Sequence, residues 1–151
     1  GSQIPTRWMD QGAVQALPIF RVQSRYQAGL LEVMFKQHIS DRTDWRRMLK
    51  GDQEPADLSA KSTELRSICS EELDKQHEVA GEAGISLLED EVVRSFIYPV
   101  LEYPSKVKAL NFDKTLEIAG TLLGIKGQYL IFDTGVLNIR KFGGYWLRFQ
   151  G

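Results

Sequence analysis

Leu17-Pro18-Ile19-Phe20-Arg21-Val22-Gln23 runs directly into Ser24-Arg25-Tyr26-Gln27-Ala28-Gly29-Leu30-Leu31-Glu32-Val33-Met34-Phe35-Lys36-Gln37-His38-Ile39, and the hydrophobic period changes at the junction. In the first stretch Phe20 and Val22 share one face while Ile19 and Arg21 share the other, the alternation of a strand, with Pro18 at its start, where a missing N–H is tolerated. In the second, Leu31, Met34, Phe35 and His38 recur at helical spacing, Ala28 extends the stripe backwards, and no proline intervenes. The spacing predicts a helix from Ser24 to Ile39. A helix-rich first half containing one short strand follows from this stretch and its flanks.

Upstream, Pro5-Thr6-Arg7-Trp8-Met9-Asp10 reads as a short helix that Gly12 closes. Downstream, Asp41 or Thr43 can cap a run from Asp44 to Leu49 that Gly51 ends. After the polar linker Asp52-Gln53-Glu54-Pro55, the positions Leu58, Leu65, Ile68, Cys69, Leu73 and Gln76 trace one side of a long acidic helix, which Gly81 and Gly84 are expected to end. Beyond it the runs 92–93, 96–98, 107–112, 116–123, 128–132, 136–140 and 145–149 are short and β-prone, separated by Pro, Gly, Asn or Asp. They predict a small antiparallel β barrel or sheet. The fold class is therefore α+β, in three consecutive segments: 3–51, an acidic helical insert 52–90, and a C-terminal β domain 91–151.

The chain has 151 residues, 42% apolar and 26% charged, enough for a buried core. No stretch approaches the roughly 20 continuous apolar residues of a membrane helix, so no membrane partner is expected. The single cysteine, Cys69, has no partner within the chain for a disulfide, and no apolar targeting segment opens the sequence, which together point to the cytoplasm. Gly1-Ser2 reads as a cloning remnant, so the natural protein is expected to extend upstream. The net charge is −1, but it is segregated. Residues 1–50 carry eight Lys/Arg against four Asp/Glu, residues 51–102 four against thirteen, and residues 103–151 seven against three. Two basic outer segments can concentrate a phosphate-bearing ligand.

Several motifs that could carry chemistry have simpler readings. Asp133-Thr134-Gly135 resembles an aspartic-protease loop, but no second copy exists and Asp-Thr-Gly is ordinary turn chemistry between β runs. His38 and His77 have no Cys or His at metal-ligand spacing, and Cys69 and His38 read as packing residues on apolar stripes. Gly124-Ile125-Lys126-Gly127-Gln128-Tyr129 and Lys141-Phe142-Gly143-Gly144-Tyr145 each combine glycine, a cation and an aromatic, which suits a phosphate and a base; as β turns, their aromatics enter the core instead. Glu32 falls beside the apolar stripe of its helix, where a carboxylate needs a cation, either a metal or a basic side chain.

Arg7 on a helix, then a strand, then a helix bearing Ala28-Gly29-Leu30-Leu31-Glu32 resembles the middle and end of the GIY-YIG nuclease domain. The resemblance implies that Arg7 is a catalytic arginine and that Glu32 holds Mg²⁺ or Mn²⁺ in the full-length protein, with no cofactor required for this chain to fold. The tyrosine-bearing hairpin of that family is absent, so the fragment is expected to be inactive. In the alternative reading Glu32 forms only a structural ion pair, with Arg7 or a neighbouring base, within a noncatalytic module that binds protein or RNA. Over the whole chain, Pro5 to Ala13, Arg25 to Glu32, Asp41-Arg42-Thr43-Asp44-Trp45 and Gly124 to Ile131 are similar to a bacterial family, domain of unknown function 2797. Its members resemble longer proteins with an upstream Cys-rich, zinc-binding segment and a hairpin. The combined expectation is a nucleic-acid-associated protein that binds through Arg21, Arg25, Lys36, Lys126, Arg140 and Lys141.

Overall fold

The computed structural model describes residues 4–40, 42–53, 56–80, 85–88 and 92–151. In chain order its elements are α1 (Ile4–Asp10), β1 (Gln15–Ala16), β2 (Phe20–Val22), α2 (Arg25–Phe35), α3 (Trp45–Lys50), α4 (Leu58–Ala80), β3 (Ile85–Leu87), β4 (Arg94–Ser95), β5 (Leu122–Lys126), β6 (Tyr129–Phe132), β7 (Gly135–Asn138) and a 3₁₀ turn, Ile139–Phe142. The class is mixed α+β, as the sequence implies. These elements belong to two compact units that cut across the linear segments: unit 1 comprises 1–14, 44–54 and 96–151, and unit 2 comprises 15–43 and 55–95.

In unit 2 the strand and helix of residues 17–39 fold largely as their periodicity predicts. Ser24 is the N-cap of α2; its hydroxyl accepts from the Gln27 backbone N–H, and the Gln27 side chain accepts from the Ser24 N–H in return, a capping box that starts the helix at the strand's end. The buried face of α2 carries Leu31 and Met34, which join Ile85 in a core flanked by Phe20, Val22 and Phe35. The Phe20 and Phe35 rings stack at 5.8 Å. β2 pairs antiparallel with β3, Arg21 opposite Ser86, and β1 pairs with β4. The helix ends earlier than expected, so His38 sits exposed in the turns that follow rather than on the packed stripe. On α4, Leu65 is buried but Ile68 is not, and the Arg66 guanidinium donates to the Leu88 carbonyl at 2.7 Å. The expectations for the Cys69, Leu73, Gln76 and His77 side chains, and for Gly81 and Gly84, lie outside the described residues.

In unit 1 a three-stranded antiparallel sheet, β5-β6-β7, packs on α3. Asp44 caps α3 by accepting from the Arg46 and Arg47 N–H groups, and Gly51 ends it in the left-handed region at φ 73°. Met48, Leu49, Ile131 and Val136 form the core, with Trp45, Val100, Val107, Leu123 and Tyr129 around it. The barrel alternative is corrected: the described strands form three small antiparallel sheets and none closes. The reason lies in the β-prone runs that do not become strands. In 107–112, Ala109 makes one isolated bridge to Val136, and the Asn111 side-chain oxygen ties a turn by accepting from the Asp113 N–H. Residues 139–142 curl into the 3₁₀ turn, and 145–149 pair with no strand among the described residues. The Asp133-Thr134 loop is a hairpin turn, tied down where the Asp133 carboxylate accepts from the Thr121 N–H and the Thr134 hydroxyl donates to the Ala119 carbonyl.

Candidate functional site

The first Gly-rich turn, 124–129, does not present its lysine to solvent. The β5 alternation turns Lys126 inward, and the hairpin that follows holds Gly127 at φ 58°, so close to the end of α1 that a Cβ there would meet the backbone of Asp10 and Gly12. Lys126 is 1% exposed. Its ammonium donates to the Met48 carbonyl and to the Gln53 side-chain oxygen, both at 2.9 Å, and lies 5.2 Å from the Tyr103 ring centroid and 5.5 Å from that of Tyr98. Two neutral acceptors and two π faces replace water around the cation. Burial pushes the Lys126 amine below the ordinary lysine value. The Tyr98 hydroxyl in turn donates to the Ala13 carbonyl at 2.7 Å and the Met9 carbonyl at 3.2 Å, and burial, followed by the neighbouring Tyr103 and Asp10, pushes its phenol up. The structure thus places Lys126 inside unit 1 and not on its surface, where its charge holds α3 and the segment after it to the sheet.

Tyr129 follows the core reading of its turn. It stacks on Trp45 with ring centroids 5.9 Å apart and planes 1° apart. The Arg46 guanidinium carbon lies 4.3 Å from the Trp45 ring centroid, so Arg46 lies over a supported aromatic layer. Arg46, Arg47 and Lys50 are exposed on the same helix, and the Arg47 guanidinium donates to the Asp52 carbonyl at 3.4 Å. Sequence reasoning misses this group, although Trp45-Arg46-Arg47 directly after a capping aspartate is a legible basic-aromatic signal.

Arg140 and Lys141 are exposed on the 3₁₀ turn, where Asn138 caps both backbone N–H groups. The Lys141 ammonium pairs with Asp113 at 3.3 Å, and the Tyr145 hydroxyl donates to the other oxygen of that carboxylate at 2.7 Å. Those two hydrogen bonds, Tyr145 first and then Lys141, hold the Asp113 carboxyl below its usual range, while the bond to Asp113 raises the Tyr145 phenol. Unit 1 as a whole carries eleven Lys/Arg against eight Asp/Glu, and unit 2 eight against twelve.

The residues of the nuclease reading fall in different units. Arg7 is exposed on α1 in unit 1, and Glu32 is exposed on α2 in unit 2, together with Arg21, Arg25 and Lys36. The Glu32 side chain is 67% exposed and one of its oxygens lies 3.0 Å from the Lys36 ammonium, one helical turn on. The cation beside it is thus a basic side chain of the same helix. Among the described residues no group of three or more His, Cys, Asp or Glu could hold a metal ion. An exposed carboxylate already paired with lysine, with no second ligand grouped beside it among the described residues, is not a preformed divalent site.

The molecule is thus a mixed α+β protein whose α3–sheet unit carries a net positive charge and an aromatic–cation layer. The family model described as Protein of unknown function (DUF2797) matches residues 1–147, and the chain belongs to that family. No curated protein and no solved structure gives a significant match. Among the described residues no helix is long and apolar enough to cross a membrane.

Proposed function

We propose that unit 1 is a noncatalytic nucleic-acid-binding module that grips the phosphodiester backbone with Arg46, Arg47 and Lys50 of α3 and with Arg140 and Lys141. The observation that carries this reading is the Arg46–Trp45–Tyr129 layer. A guanidinium held flat on a ring loses little further freedom when it binds, and its N–H edges still face a phosphate. The net positive charge of unit 1 supports the same partner, while the acidic balance of unit 2 weakens the case for Arg21, Arg25 and Lys36. Lys126 leaves the binding set because it is buried. The noncatalytic reading is preferred to the GIY-YIG-like nuclease because Glu32 is exposed and paired with Lys36.

Fluorescence anisotropy with a short labelled oligonucleotide tests it. Association is expected at low salt and should weaken steeply as salt rises. Replacing Arg46 and Arg47 together by Ala should flatten the slope of log K against log salt by about two, one for each phosphate that is no longer neutralised. Association no stronger than that of an oligomer with an uncharged backbone would overturn the proposal.

A further inference from the structure

The stretch Tyr145–Phe149 is rooted firmly and then left open. Tyr145 is held at its base by Asp113 and by an edge-on contact with Phe142, 5.4 Å between centroids, and Phe142 is itself buried against Phe112. Immediately beyond, Trp146 is 101% exposed and Phe149 81% exposed, with Arg148 between them and Arg140 and Lys141 on the turn just before. An indole and a phenyl ring standing in water are costly, and here they lie in a stretch, 139–151, that holds three cations and no acidic residue.

We infer that Trp146 and Phe149 are base-stacking platforms that make the module select single-stranded over double-stranded nucleic acid. The inference rests on the nucleic-acid reading of unit 1 and names its substrate class. Three features lead to it. The rings offer open π faces, every unpaired base has a matching face, and Arg148 and Arg140 in the same stretch complement the phosphates that accompany those bases. In a duplex the base faces are already stacked on one another, so the rings gain nothing there and only the phosphate contacts remain. A lipid surface would also accept exposed aromatics beside cations. The non-helical course of 145–149 and the cation–aromatic layer on α3 of the same unit favour a strand with stacked bases.

The experiment compares a labelled single strand with the duplex of the same sequence at fixed salt, for wild type and for Trp146→Ala and Phe149→Ala. The single strand is expected to bind about tenfold or more tightly than the duplex. Each variant should lose several-fold affinity for the single strand, keep its duplex affinity, and retain the wild-type melting temperature. For Trp146→Ala, the quenching of tryptophan fluorescence by the single strand should also diminish. Equal affinity for both strands, unchanged in the variants, overturns the stacking assignment and leaves salt-dependent backbone binding intact. Loss of all binding in wild type removes both readings together. Association with phosphatidylserine vesicles or with a second copy of the chain, abolished by Trp146→Ala and not competed by the single strand, also overturns it.

Discussion

The Lys126 ammonium donates to the Met48 carbonyl oxygen at 2.9 Å from a position that is 1% exposed, and among the described residues no carboxylate is a hydrogen-bond partner to it. The bond joins the end of β5 to the C-terminal half of α3, so a charge is used as a structural pin in unit 1. Lys126→Ala removes the pin, leaves the Met48 and Gln53 oxygens without their donor and opens space beside Tyr98 and Tyr103. It should cost about 3 kcal/mol in urea unfolding. Lys126→Met keeps the volume and avoids a buried charge, so its loss should be smaller by on the order of 1 kcal/mol. Equal stability of wild type and the Ala variant would remove the pin.

The same lysine has a pH signature. Its folded-state value is depressed by burial, so at pH below that value both folded and unfolded chains are protonated and the desolvation cost is fully present. As pH rises from there towards the ordinary lysine value, the folded protein gives up the proton first, the unfolded chain binds more protons, and stability rises. Wild type should therefore gain stability relative to Lys126→Met across that alkaline window. Urea unfolding of the pair at a series of pH values reads the difference directly, since the other lysines and tyrosines are common to both. A flat or falling difference contradicts the assignment.

What is legible in the sequence is local. The helix start at Ser24, the end of α3 at Gly51 and the Asp133-Thr134 hairpin each depend on neighbours within a few residues and form at those residues, whereas the cap of α3 falls at Asp44 rather than at Asp41 or Thr43. The end of α2 falls short of the periodic pattern because a residue such as His38 does not continue a helix once no packing surface faces it. The fate of Lys126 is not legible, because its acceptors lie 78 and 73 positions away and only the folded chain brings them to it. The barrel fails for a related reason: β propensity in 107–112 says nothing about whether a free strand edge exists to receive it. The candidate interface is half visible. Charge alone marks Arg140 and Lys141, whereas Arg46 gains its meaning from Tyr129 supporting Trp45 across unit 1.

Two glycines make opposite predictions. At Gly127, φ is 58° and an added Cβ would stand 2.7 Å from the Asp10 carbonyl oxygen and 2.9 Å from the Gly12 nitrogen, both backbone atoms with little room to yield. Gly127→Ala should destabilise by about 2 kcal/mol or more. Gly29 lies within α2 with nothing within 4 Å of an added Cβ, so Gly29→Ala should stabilise by about 0.5 to 1 kcal/mol through the lower entropy of the unfolded chain. Thermal melts of the two variants check both signs, and a stabilised Gly127→Ala would show that the hairpin tip does not abut α1.

Glu32 decides between the binding module and the metal-dependent alternative. Its carboxylate lies 3.0 Å from the Lys36 ammonium with both side chains substantially exposed, in the favourable order of acid before base along the helix. Such a pair contributes a few tenths of a kcal/mol at most, because water screens it and two long side chains must be ordered to form it. Glu32→Gln should accordingly change stability by less than about 0.5 kcal/mol, with the residual difference vanishing at high salt. A divalent ion bound at Glu32 would instead raise the melting temperature in proportion to its occupancy, and only in the protein that keeps the carboxylate. Melts of wild type and Glu32→Gln with and without Mn²⁺ are expected to coincide in all four conditions. A Mn²⁺-dependent rise in wild type that Glu32→Gln abolishes would restore the metal site and with it the nuclease-like reading of this helix.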